Sequence, residues 1–111
     1  MKFHRESVEH GDREFHGALT ELGNAVIALF WEGKEPRLGS TSITLPNKTS
    51  SQLFGDRGIL MGRVIGEMIA KRFDEMTLVS TYLRSKEEMD QGSILVDLTR
   101  RLLRGEGNSL E

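Results

Sequence analysis

"GNAVIALFWEG", residues 23–33, decides how this chain folds. Between Asn24 and Glu32 stand seven apolar residues in a row, Ala25 to Trp31. Successive side chains of a strand point to opposite faces, so a strand with one wet face alternates apolar and polar residues. This stretch does not alternate. Both faces of the strand it forms need cover, in a chain of only 111 residues.

The rest of the composition sets the bounds. A chain of this length fits a single domain, over residues 1–109, and can bury one core. Hydrophobic residues make up 37%, with 12 glycines besides, which is the balance of a globular protein and not of a disordered one. The 15 basic and 17 acidic residues are well mixed, so there is no overall basic footprint for nucleic acid. The absence of cysteine excludes disulfides and thiolate metal sites and fits a reducing compartment. No apolar run approaches the roughly 18 residues of a membrane span, and "MKFHRESVEH" has no signal-peptide core. The expectation is a soluble, cytoplasmic protein. Leu110-Glu111, after the polar "RGEGNS", reads as an expression-tag scar.

Outward from the apolar run, the first 45 residues read as an antiparallel meander. Residues 2–10 make a polar strand, Gly11-Asp12 a turn, and residues 13–22 a second strand with Phe15, Gly17 and Leu19 on one side. Gly23-Asn24 is a two-residue hairpin signal leading into the apolar third strand. Residues 38–45 form a fourth strand ended by Pro46. Residues 46–58 read as a long loop. The apolar spacing of Met61, Val64, Ile65, Met68 and Ile69, with Leu60, predicts a helix over 58–73. A fifth strand follows at 75–83, then a second helix at 93–104 with Ser93 as N-cap and Gly105 as terminator. The order β-β-β-β-α-β-α describes an α+β fold, a mostly antiparallel sheet with two helices packed on one face.

Two helices on one face leave the other side of residues 25–31 bare, and monomers rarely expose a large apolar patch. The reading is that a second protein molecule covers it, making a homodimer or a higher homo-oligomer. Trp31 shares its parity with Ala25, Ile27 and Leu29, and this larger set is assigned to the core. Val26, Ala28 and Phe30 then face the partner. Gly62 and Gly66, four apart on the first helix, add a flat strip for close packing.

No catalytic chemistry emerges. His4, His10 and His16 are six apart, and on an extended strand the first two stand about 20 Å from each other, so no compact metal triplet forms. "PNKTSS" ends like a phosphate-binding loop but lacks its glycines. The serines have no nucleophile elbow, and no histidine follows residue 16. Arg100, Arg101 and Arg104 suit the end of a helix. No enzyme, metal or cofactor is expected, and no membrane or nucleic-acid partner. A second reading is a sensor module for a small anion or nucleotide, its pocket gated by loop 46–58, with Asn47, Lys48, Gln52 and Arg57 as polar ligands.

"LGSTSITL", the Gly-Asp-containing loop, "GILMGRVIGEMIAKRF", "MTLVSTYL" and "SILVDLTRRLL" form a pattern from about Leu22 to Leu103. It resembles the small proteasome assembly chaperones of types 3 and 4, most closely type 4, including archaeal homologues. The resemblance implies a non-enzymatic chaperone that dimerises and holds proteasome α-type subunits while their ring forms.

Overall fold

In a computed structural model, which describes residues 2–55, 59–84 and 88–108, the apolar run becomes the strand around which the rest is assembled. The elements are β1 (His4–His10), β2 (Arg13–Glu21), β3 (Ala25–Glu32), β4 (Ser40–Thr44), β5 (Ser50–Phe54), α1 (Ile59–Phe73), β6 (Met76–Tyr82) and α2 (Glu88–Asn108). The six strands form one sheet in the order β1-β2-β3-β6-β4-β5. Only the β3–β6 pair is parallel, because β3 and β6 are joined by a long crossover that includes α1. The architecture is α+β with a mostly antiparallel sheet, as the sequence predicts.

The meander forms for the expected local reasons. Gly11 has φ +67°, which a side chain would disfavour, and it turns β1 into β2. The two-residue turn at Gly23-Asn24 closes with Leu22 N donating to Ala25 O at 2.7 Å. Both helices lie on one face of the sheet, α1 over β4 and β6 and α2 over β1 and β2. The core between them holds Phe15, Leu19, Val26, Ala28, Phe30 and Val79 from the sheet, with Ile65, Ile69, Leu95, Leu98 and Leu102 from the helices. Among the described residues, no helix is long and apolar enough to cross a membrane.

Three expectations need correction. Residues 46–58 are not one loop, because Ser50–Phe54 form β5 and pair antiparallel with β4. The turn between them is tight: Leu45 N donates to Thr49 O at 2.9 Å and Lys48 takes φ +71°. The second helix begins at Glu88 and runs through Gly92 and Gly105, so Ser93 is no N-cap and Gly105 no terminator. Gly92 lies inside the helix because Met61 packs against it, where a Cβ would stand 2.7 Å from the methionine methyl. The apolar series Leu95, Leu98 and Leu102 supplies the burial that offsets the two glycines.

The third correction concerns the two sides of β3. Val26, Ala28 and Phe30 are fully buried beneath the helices, while Ala25, Ile27, Leu29 and Trp31 point to the helix-free face. Gly17 is the physical reason. It pairs with Phe30 across the β2–β3 ladder, and a Cβ there would lie 3.0 Å from the Phe30 ring and 3.1 Å from Leu102. The missing side chain is the space that Phe30 fills. Gly62 and Gly66 serve the same packing: they face Ser42 and Thr44, and a Cβ on Gly66 would collide with the Thr44 hydroxyl. The glycine strip receives the chain's own β4, not a partner.

Candidate functional site

Among the described residues, no helix packs on the other face of the sheet. Its side chains fall into rows set by the strand registers. One row runs Arg5, Ala18, Leu29, Ser80, Thr41, Phe54 from β1 across to β5. The next runs Thr20, Ile27, Leu78, Ile43, Ser51. Ile27, Leu29, Ile43 and Leu78 stand together at the centre, and all four remain partly exposed. Four aliphatic side chains ringed by serine, threonine and charged residues make an apolar centre with a polar rim, the anatomy of a protein interface.

Trp31 anchors one end of this face. The His16 ring stacks on it at 5.3 Å and 14°, and the Arg5 guanidinium sits 5.6 Å from its centroid. Trp31 is only 3% exposed, and these two partners come from the neighbouring strands β2 and β1. Its indole N–H is buried without an acceptor among the described residues.

At the same end of the sheet, on the helix side, Glu32 is 5% exposed and fully bonded. Arg13 donates to both carboxylate oxygens at 2.8 Å, and Arg84 N donates to Oε1 at 3.0 Å. The Arg13 bonds hold the Glu32 carboxyl below the usual carboxylate range; burial opposes them, and the Arg84 N–H adds to the lowering. Gly33 makes the corner possible, with φ +104° and the Arg84 guanidinium lying where its Cβ would be. A cavity of about 500 Å³ opens here, walled by Arg13, Glu32, Lys34, Arg37 and Arg84 among others. Sequence reasoning passed over Glu32. Its signal was an acid at the end of an apolar run, on the same face as Arg13.

The residues proposed for an anion site are not brought together. Asn47 and Lys48 lie in the exposed β4–β5 turn, where Asn47 Oδ1 accepts from Thr49 N at 2.9 Å. Gln52 lies on β5 and gives its amide to the carbonyls of Phe54 and Gly55, at 2.9 and 3.3 Å. Arg57 lies outside the described residues, as do Leu110 and Glu111. The histidines are spread along β1 and β2, with His16 committed to Trp31 and to Glu14 at 3.3 Å.

No protein-family model matches the chain, and no curated protein matches its sequence. Among solved structures it is similar to a chain in the crystal structure of a novel chaperone complex for yeast 20S proteasome assembly. The match covers 93% of this chain and 99% of that one, with a TM-score of 0.63 at 12% sequence identity. An identity this low carries the fold and nothing finer.

Proposed function

We propose that this chain is a non-enzymatic protein-binding module of the proteasome assembly chaperone type. Two copies pair through their helix-free sheet faces, and the pair holds proteasome α-type subunits during ring assembly. The observation that carries the reading is the cluster Ile27, Leu29, Ile43 and Leu78, a partly exposed aliphatic centre on the face that neither helix covers. Burying such a centre releases roughly 25 cal/mol per Å² of apolar surface, a gain unavailable within one copy. The likeness to a chain of a chaperone complex supports the kind of partner. This replaces the expected interface of Val26, Ala28 and Phe30 with the opposite parity of the same strand.

Light scattering tests the pairing. At high micromolar concentration the wild type should weigh twice its 12.5 kDa chain mass, and Leu29→Asp should be a folded monomer. A wild-type monomer removes the paired reading. Co-purification from the source cell tests the partner. Recovery of α-type proteasome subunits supports the chaperone role, and their absence beside an intact dimer removes it.

A further inference from the structure

Where β3 and β6 end, their chains part. The two strands are the parallel pair of the sheet. From β3 the chain passes the end of β6 to reach β4, and from β6 it turns back to α2, which lies over β1 and β2. In open sheets, parallel neighbours whose chains leave in opposite directions frame a crevice at their carboxyl ends, and ligands gather there. The cavity of about 500 Å³ beside Glu32 occupies this place, with a volume in the range of small-molecule sites.

Three guanidinium groups border the cavity, each backed by a different group. Glu32 holds Arg13 through two bonds of 2.8 Å. Gly33 makes room for Arg84, since a Cβ there would stand 2.6 Å from Nη2. Tyr82 backs Arg37, whose Cζ lies 5.8 Å from the ring centroid. The lining carries four acids and four bases, so the count favours neither sign. The partners decide it. Glu32 is spent on Arg13, and Glu14 lies 3.3 Å from the His16 ring. Glu35 reaches Arg37 only at 3.7 Å with both side chains more than half exposed, a pair worth little. Asp12, in the exposed β1–β2 turn, is the remaining acid. Against these, the Arg84 guanidinium and the Lys34 ammonium form no hydrogen bond or ion pair among the described residues.

We infer that this cavity binds a small, multiply charged oxyanion, a phosphate ester or a polycarboxylate, with Arg84, Arg37 and Lys34 as its cations. A guanidinium fork takes either oxyanion through two parallel bonds, and a lysine adds a point charge on a flexible stem. Arg13 shapes the wall, its charge already cancelled by Glu32. The site needs one copy only, so it stands apart from the proposed pairing of sheet faces.

The test uses the full chain, labelled with ¹⁵N, in about 0.15 M salt, where attraction to loose surface charge is screened within about 8 Å. Inorganic pyrophosphate and citrate are titrated separately, with sodium chloride of matched ionic strength as the reference. The expected result is saturable shifts of the Gly33, Lys34 and Arg84 amides, with a Kd of about 1 mM or tighter for at least one of the two anions. Binding of pyrophosphate alone identifies a phosphorylated ligand, binding of citrate alone a polycarboxylate, and binding of both a site that reads charge. Arg84→Gln should weaken binding about tenfold or more, and Lys34→Gln about threefold. Both variants should keep the wild-type thermal transition, since both positions are exposed. If Arg84→Gln lowers it, Arg37→Gln, on a side chain 52% exposed, supplies the same reading. No saturation by either anion, the same shifts from sodium chloride, or wild-type binding in the folded arginine variant would each overturn the inference.

Discussion

β3 presents two apolar sets to two different environments. Val26, Ala28 and Phe30 have no exposed surface and touch side chains from both helices and the neighbouring strands. Ile27 and Leu29, their immediate neighbours in sequence, keep part of their surface on the helix-free face. Hydrophobicity does not separate these sets. What separates them is a vacancy at Gly17 on the helix side, where a Cβ would crowd both Phe30 and Leu102 of α2.

The largest effect expected from this contrast is at Phe30. Phe30→Ala removes a fully buried ring from the helix side and should cost about 3–5 kcal/mol in denaturant unfolding. A cost below about 1 kcal/mol would mean that the ring can be spared and that the faces are not distinct. Glu32 comes next, at the end of the same covered side. Glu32→Gln keeps the shape but loses the charge that Arg13 grips, and should cost about 2–3 kcal/mol near neutral pH. The sign with pH follows from the lowered pKa. A depressed carboxyl stabilises the fold above its unfolded pKa of about 4.3, and that stability disappears as pH falls through the folded value. The gap in melting temperature between wild type and Glu32→Gln should therefore be widest above pH 5 and close towards pH 2. A gap that does not change with pH would show that the charge is not the cause.

The glycine contact is smaller again. Gly66→Ala places a methyl against Thr44 and should cost about 1–3 kcal/mol, measured as a lower denaturation midpoint with an unchanged slope. The smallest effect belongs to the open face. Leu29→Asp should alter the stability of the isolated chain by less than about 1 kcal/mol, because its carboxylate can reach water. A loss comparable to that of Phe30→Ala would erase the distinction between the sides.

Much of this was legible. The strands around Gly11 and Gly23-Asn24, the helix of residues 59–73 and the α+β order follow from turn chemistry and periodicity. The faces of β3 were legible too, by a route that parity counting bypassed. A two-residue turn at Gly23-Asn24 sets Leu22 opposite Ala25 and hence Gly17 opposite Phe30 and His16 opposite Trp31. A glycine facing a phenylalanine makes room for a helix, and a histidine facing a tryptophan suits an open side. β5 was hidden by composition, since Ser-Ser-Gln scores as a loop and its pairing with β4 is tertiary. The start of α2 was hidden by Gly92, which weakens the local signal and is tolerated because Met61 fills the space. The Glu32 site depends on Arg13 and Arg84, far apart in sequence, and only the register brings them together.

The place of β6 has a consequence for the order of assembly. It is inserted between β3 and β4, so the meander β1–β2–β3 and the hairpin β4–β5 share no ladder with each other. Each can form from near neighbours, but the sheet becomes continuous only when residues 76–82 arrive and pair on both sides. During synthesis, both inner edges therefore wait for a strand that emerges more than 40 residues after β3 ends, the kind of distant closure that slows folding. For that interval the middle of the future sheet is an open slot bordered by its most apolar strand. The nascent chain is most exposed to mispairing before its last quarter is made.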